Sequence, residues 1–94
     1  MNSVYDEVAL LDMEEACYAQ LLRTSRSPTL HRPWQAYNAW VDQFIQEAGA
    51  RGHAVRRQRG TFDGFSAFCF FEKRDMDTNA LIAYARHLFL TQHG

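Results

Sequence analysis

Apolar positions in the first quarter of the chain recur at spacings of three and four. Val4, Val8, Leu11, Tyr18 and Leu22, flanked by Leu10, Met13, Cys17 and Leu21, describe a broad helical face and predict a helix over residues 4–24. Its acids crowd the N-terminal turns and Arg23 closes the other end, which complements the helix dipole. Thr24 to Thr29, polar and containing Pro28, is a turn. Trp34, Tyr37, Val41, Phe44 and Ala48, with Trp40 and Ile45 beside them, follow the 3.6 period most strictly and predict a second helix. Pro33 suits its first turn, where a missing N–H costs nothing, and Gly49 and Gly52 bracket its C-terminal cap.

The pattern then changes. Phe65-Ser66-Ala67-Phe68-Cys69-Phe70-Phe71, read as a strand, sends Phe65, Ala67, Cys69 and Phe71 one way and Ser66, Phe68 and Phe70 the other. Asp63-Gly64 just before it is a strong hairpin signal, because both central residues of a type I′ turn need positive φ. In that register Phe62 faces Phe65, Arg59 faces Phe68, Arg57 faces Phe70 and Val55 faces Glu72. Guanidinium beside an aromatic face contributes roughly 0.5–1 kcal/mol at an exposed site. Asp75-Met76-Asp77-Thr78 offers N-caps for a last helix with Leu81, Ile82, Ala85, Leu88 and Phe89 as its stripe. The expected fold is therefore one α+β domain over residues 1–94. Three helices pack on one face of a two-stranded antiparallel hairpin, in the order α-α-β-β-α. A hairpin with apolar side chains on both faces leaves one face for a partner protein or a second subunit.

Composition adds little to the fold but bears on function. With 47% apolar and 22% charged residues in 94, the chain has the make-up of an ordinary globular domain. No basic n-region or long apolar run marks a secretory signal or a membrane span, so the expected location is the cytoplasm. Cys17 and Cys69 lack metal or redox spacing and read as small buried hydrophobes. The net charge of −1 conceals a segregation: residues 1–22 hold five acids and no base, and residues 23–59 hold seven arginines against Asp42 and Glu47. Such a dipole favours association with a charged partner or a second copy.

Candidate chemistry is sparse. His31, His53, His87 and His93 have no HxxxH or Cys-His spacing, so neither a metal nor another cofactor is expected. Asp12, Glu14 and Glu15 read as a solvated face on the first helix rather than as paired catalytic carboxylates. Nucleotide-binding and hydrolase motifs are absent, which points to a protein that is not an enzyme. The competing reading is nucleic-acid binding through Arg56, Arg57 and Arg59 in the basic hairpin. The overall charge and a sequence pI of about 6.4 weigh against it. Trp40, at the edge of its stripe, is a candidate anchor, since Trp and Arg dominate interface hot spots.

The segment His31-Arg32-Pro33-Trp34-Gln35-Ala36-Tyr37-Asn38-Ala39-Trp40, the arginine-phenylalanine hairpin and the closing helix together resemble the small bacterial antiactivators of the QslA kind. That resemblance implies a cytoplasmic homodimer that binds the ligand-binding domain of a quorum-sensing transcription activator and blocks its dimerisation and DNA binding. It transfers no interface residue. From the residues themselves, the expected partner-binding set is Arg57, Arg59, Phe68, Phe70 and Trp40, acting without catalysis, metal or cofactor.

Overall fold

A computed structural model describes residues 8–93 of the chain. Its elements run β1 (Val8–Asp12), α1 (Glu15–Thr24), α2 (Trp34–Ala50), β2 (Val55–Arg59), α3 (Phe62–Glu72) and α4 (Thr78–His93). The order is thus β-α-α-β-α-α, and β1 and β2 pair in parallel, from Val8 opposite Val55 to Asp12 opposite Arg59. This overturns the expected antiparallel hairpin with three helices. A parallel pair needs a long crossover, and here α1 and α2 supply it.

The first correction concerns residues 4–24. Ala9, Leu10 and Leu11 are consecutive and all buried, which a strand covered on both faces requires and a one-sided helix does not. Leu10 and Asp12 share the face of β1 that looks toward α2. Ala9 and Leu11 share the other, where a side chain at Gly60 would meet Leu11, Tyr84 and Leu88. The sheet is therefore sandwiched between α2 and α4. Helical structure begins only at Glu15, and Val4 lies outside the described residues. The three-and-four spacing of Tyr18, Leu21 and Leu22 in α1 was genuine; Val8 and Leu11 joined it by coincidence of period.

The second correction concerns the phenylalanine run. Residues 62–72 form a helix because Thr61 caps it, its Oγ1 accepting from Gly64 N at 3.1 Å, with Asp63 in the first turn. Phe62, Phe65 and Cys69 then fall at i, i+3 and i+7 on one buried face. Asp63-Gly64 is the first turn of α3 and not a hairpin loop. The helix ends in a Schellman motif: Lys73 adopts the left-handed conformation at φ 55°, its N–H donates to Phe70 O, and Arg74 N donates to Cys69 O at 2.9 Å. One apolar face suffices for a helix, whereas the strand would have needed cover on two.

The remaining elements follow the sequence more closely. α2 buries Tyr37, Val41 and Ala48, starts one residue after Pro33, and is followed by Gly52 at φ 84°. The Pro33 carbonyl accepts from Ala36 N and Tyr37 N. Asp77, within the expected capping segment, accepts from Ala80 N at 2.8 Å and opens α4. Leu81 and Ala85 are buried there with Ala80 and Tyr84, while Ile82, Leu88 and Phe89 are half-buried against the same core. No described helix is long and apolar enough to cross a membrane.

Candidate functional site

The five expected contact residues do not form one surface. Arg57 and Arg59 stand on the α2 side of β2 and are held by acids rather than by phenylalanines. Arg57 donates to Asn38 Oδ1 at 3.1 Å and to Asp42 Oδ1, with Asp12 Oδ1 at 3.7 Å. Arg59 lies 3.1 Å from Asp12 Oδ2 and 4.0 Å from Glu14 Oε2. The parallel register explains the pairing, because it sets Arg59 beside Asp12 and brings Arg57 under α2. The expected pairings of Arg59 with Phe68 and of Arg57 with Phe70 do not occur, since both phenylalanines belong to α3.

Trp40 sits in a separate aromatic stack on α2. Its ring lies 5.1 Å from His31, 5.9 Å from Tyr37 and 5.7 Å from Phe44. It is half-buried, and Phe44, on the periodic stripe that predicts α2, is the more exposed of the two at 36%. Beneath the stack, Tyr18 and Tyr37 rings lie 4.8 Å apart, and their hydroxyls donate to His31 O and Leu11 O. Burial pushes the Tyr18 phenol up to about 12 against a pull downward from Arg32, and it raises Tyr37 still further. Both remain hydrogen-bond donors across the ordinary pH range.

Phe68 and Phe70 are on one helix but point to different sides, being two residues apart at about 100° per residue. Phe68 is half-buried against α4, with Tyr84 at 5.2 Å and His87 at 5.4 Å between ring centroids. Phe70 is 78% exposed, as is Phe71, and the two rings meet edge to face at 5.6 Å. These two adjacent phenylalanines at a helix C-terminus are the most exposed large apolar side chains among the described residues, ahead of Leu90 at 48% and Phe44 at 36%.

Beside this pair a cavity of about 340 Å³ opens between α3 and α4, lined by Gly64, Phe68, Phe71, Glu72, Tyr84, His87 and Leu88. The α3 residues among these fall at i, i+4, i+7 and i+8, one helical face that the strand reading had split. Gly64 is required by close approach: a Cβ there would collide with the Tyr84 hydroxyl. Tyr84 is only 7% exposed, and its hydroxyl has no hydrogen-bond partner among the described residues. Burial raises its pKa, so the phenol stays neutral. Sequence reasoning missed this site because Gly64 was assigned to a turn. The signal available was Thr61, three residues before Gly64, as a helix N-cap.

The other chemistry-bearing side chains are dispersed. Cys69 is buried, with its thiol pKa raised by that burial, and Cys17 is half-buried against the core. No three His, Cys, Asp or Glu side chains among the described residues gather closely enough to hold a metal. Arg23, Arg26 and Arg32 line a separate concavity of about 600 Å³ with Leu22 and Ser25, where Arg32 caps α1 by donating to Leu22 O and Ser25 O. No protein family, curated protein or solved structure matches the chain.

Proposed function

We propose that this protein acts by binding another protein and occupying a surface the partner needs for its own association. The observation that carries the reading is the pair Phe70 and Phe71, each 78% exposed, beside the α3–α4 cavity. Exposed aromatic side chains of this kind supply the anchors of interfaces, and here they sit on a rigid, capped helix. The partner proposed first is a transcription regulator, the ligand-binding domain of a quorum-sensing activator whose dimerisation and DNA binding would be blocked. The antiactivator resemblance supports that choice, although its hairpin is absent. Homodimerisation through the same face and action in the cytoplasm belong to the proposal.

The test is a double substitution, Phe70→Ser with Phe71→Ser. Neither side chain contributes to the core, so circular dichroism and thermal unfolding should be nearly unchanged. Pull-down of a purified activator ligand-binding domain, and self-association followed by sedimentation, should both be lost. Wild-type affinity and dimerisation in the double variant would sink the reading. The nucleic-acid alternative is weakened, because Arg57 and Arg59 are engaged by Asp12, Asp42 and Glu14.

A further inference from the structure

The α3–α4 cavity has a chemical bias that narrows what a partner would insert there. Phe68, Phe71 and Tyr84 contribute aromatic rings to its lining, and ring faces carry the negative part of the aromatic quadrupole. Among the described residues Glu72 brings the only carboxylate to the lining, and neither lysine nor arginine joins it. The Tyr84 hydroxyl, on a residue that is 7% exposed, has spare acceptor capacity and no partner of its own among the described residues. Gly64 lets that hydroxyl lie against the α3 backbone at the cavity wall, since a Cβ there would collide with it. Rings, a carboxylate and a lone hydroxyl oxygen converge on one kind of guest: a flat cation with several N–H donors.

We infer that this cavity receives an arginine side chain of the partner protein, its guanidinium against Phe68 and Phe71 and its N–H groups donating to Glu72 and the Tyr84 hydroxyl. The assignment rests on the protein-binding reading above and gives it a specificity element. Arginine fits better than lysine because a planar fork can stack on a ring while donating at its edge, whereas an ammonium presents a compact charge. An apolar side chain would leave the Tyr84 hydroxyl without a partner and make no use of the Glu72 charge, which costs affinity relative to arginine. The exposed pair Phe70 and Phe71 would then form the apolar surround of a charged anchor.

The experiment uses the whole chain, isotope-labelled, titrated at pH 8 with N-acetyl-arginine amide, N-acetyl-lysine amide and N-acetyl-norleucine amide while backbone resonances are followed. Arginine amide should shift Gly64, Glu72, Tyr84 and His87 at the lowest concentrations, ahead of the other two probes. Glu72→Gln, at an exposed position, and Tyr84→Phe, isosteric, should each weaken it by about tenfold without altering the fold. Norleucine amide binding as well as arginine amide, no shifts with any probe, or indifference to Glu72→Gln would each overturn the assignment. Loss of partner binding on replacing Phe70 and Phe71, combined with silence toward arginine amide, would overturn the arginine site and leave the surface reading standing. Arginine amide binding that needs Glu72, with partner affinity untouched by the phenylalanine changes, would show a site for the free side chain alone and overturn both its assignment to the partner and that surface reading.

Discussion

The Tyr37 hydroxyl donates to the Leu11 carbonyl at 2.7 Å, joining α2 to β1 across 26 residues of sequence. Asp12 O accepts from Gly60 N, so the carbonyl one residue earlier on β1 points away from β2. The tyrosine therefore satisfies a backbone acceptor that no neighbouring strand among the described residues reaches at this place. Tyr37 is 2% exposed and Leu11 fully buried, so water cannot substitute. Tyr37→Phe keeps the ring and strands the carbonyl, and we expect a loss of about 1–3 kcal/mol by urea denaturation. A change within measurement error would mean that the edge finds another donor.

The helical state of residues 62–72 has a sharp mutational signature. In a strand Phe65 and Phe71 would share a face and respond alike. In α3, Phe65 is fully buried and Phe71 is 78% exposed. Phe65→Ala should cost about 3–5 kcal/mol, as large aromatic deletions from a packed core do. Phe71→Ala should stay within about 0.5 kcal/mol, the ordinary range for surface changes. Equal losses at the two positions would restore the strand.

These residues also show where the chain was legible. α2 and α4 could be read from sequence because each has one apolar stripe and local stop signals, Pro33 and Gly52 for one and Asp77 for the other. β1 and α3 were exchanged in type for a common reason. A short apolar run has the same composition whether it is a strand covered on both sides or a helix with a wide buried face, and periodicity alone does not separate them. What decides is non-local: β1 becomes a strand because β2 pairs with it from more than forty residues away, as in Val8 opposite Val55. With Asp63-Gly64 freed from the hairpin, Thr61 becomes a cap and the α3–α4 cavity exists. Phe70, expected at a partner-facing strand surface, is 78% exposed on a helix instead, and Tyr84 could not be reached without that helix.

Lys73 carries a conformational cost that a single substitution should remove. It occupies the left-handed position of the Schellman motif at φ 55°, a region where a Cβ costs about 1–2 kcal/mol and glycine is at ease. Its side chain is exposed and makes no ion pair among the described residues. Lys73→Gly should therefore stabilise the protein by up to about 1 kcal/mol, part of the relief being offset by the greater freedom of glycine in the unfolded chain. Chemical denaturation measures it directly. Destabilisation would show that the lysine side chain supports the end of α3.

Alkaline unfolding should begin at the tyrosines. In the unfolded chain Tyr18 releases its proton near the ordinary value of 10, whereas in the folded chain burial holds it to about 12. Between those values the folded state binds more protons, so its stability is complete below about pH 10 and falls as pH rises toward 12. Tyr37, shifted in the same direction, adds to the slope. Tyrosinate absorbance and loss of helical ellipticity should rise together for these two residues. Early, reversible ionisation of Tyr18 with the fold intact would contradict its enclosure.

The Arg57 cluster offers the last test, and it separates structural from nucleic-acid roles. Arg57 sits among Asp12, Asp42 and Asn38 with its side chain 30% exposed, and Arg59 adds a second tie to Asp12. Pairs this accessible contribute about 0.2–1 kcal/mol each, so Arg57→Ala should lower stability only modestly. Arg57→Glu is different in kind, because it places a third carboxylate against Asp12 and Asp42. The loss should exceed that of alanine at about 0.01 M salt and shrink toward it at about 1 M, where screening reaches a few ångströms. If the arginines instead served a phosphate backbone, the same reversal would raise stability by relieving crowded positive charge, and would weaken binding to single-stranded RNA or DNA and flatten its salt dependence. Thermal melts at the two salt concentrations, read beside a filter-binding assay on wild type, distinguish the outcomes. We expect a salt-relieved destabilisation and no retained nucleic acid.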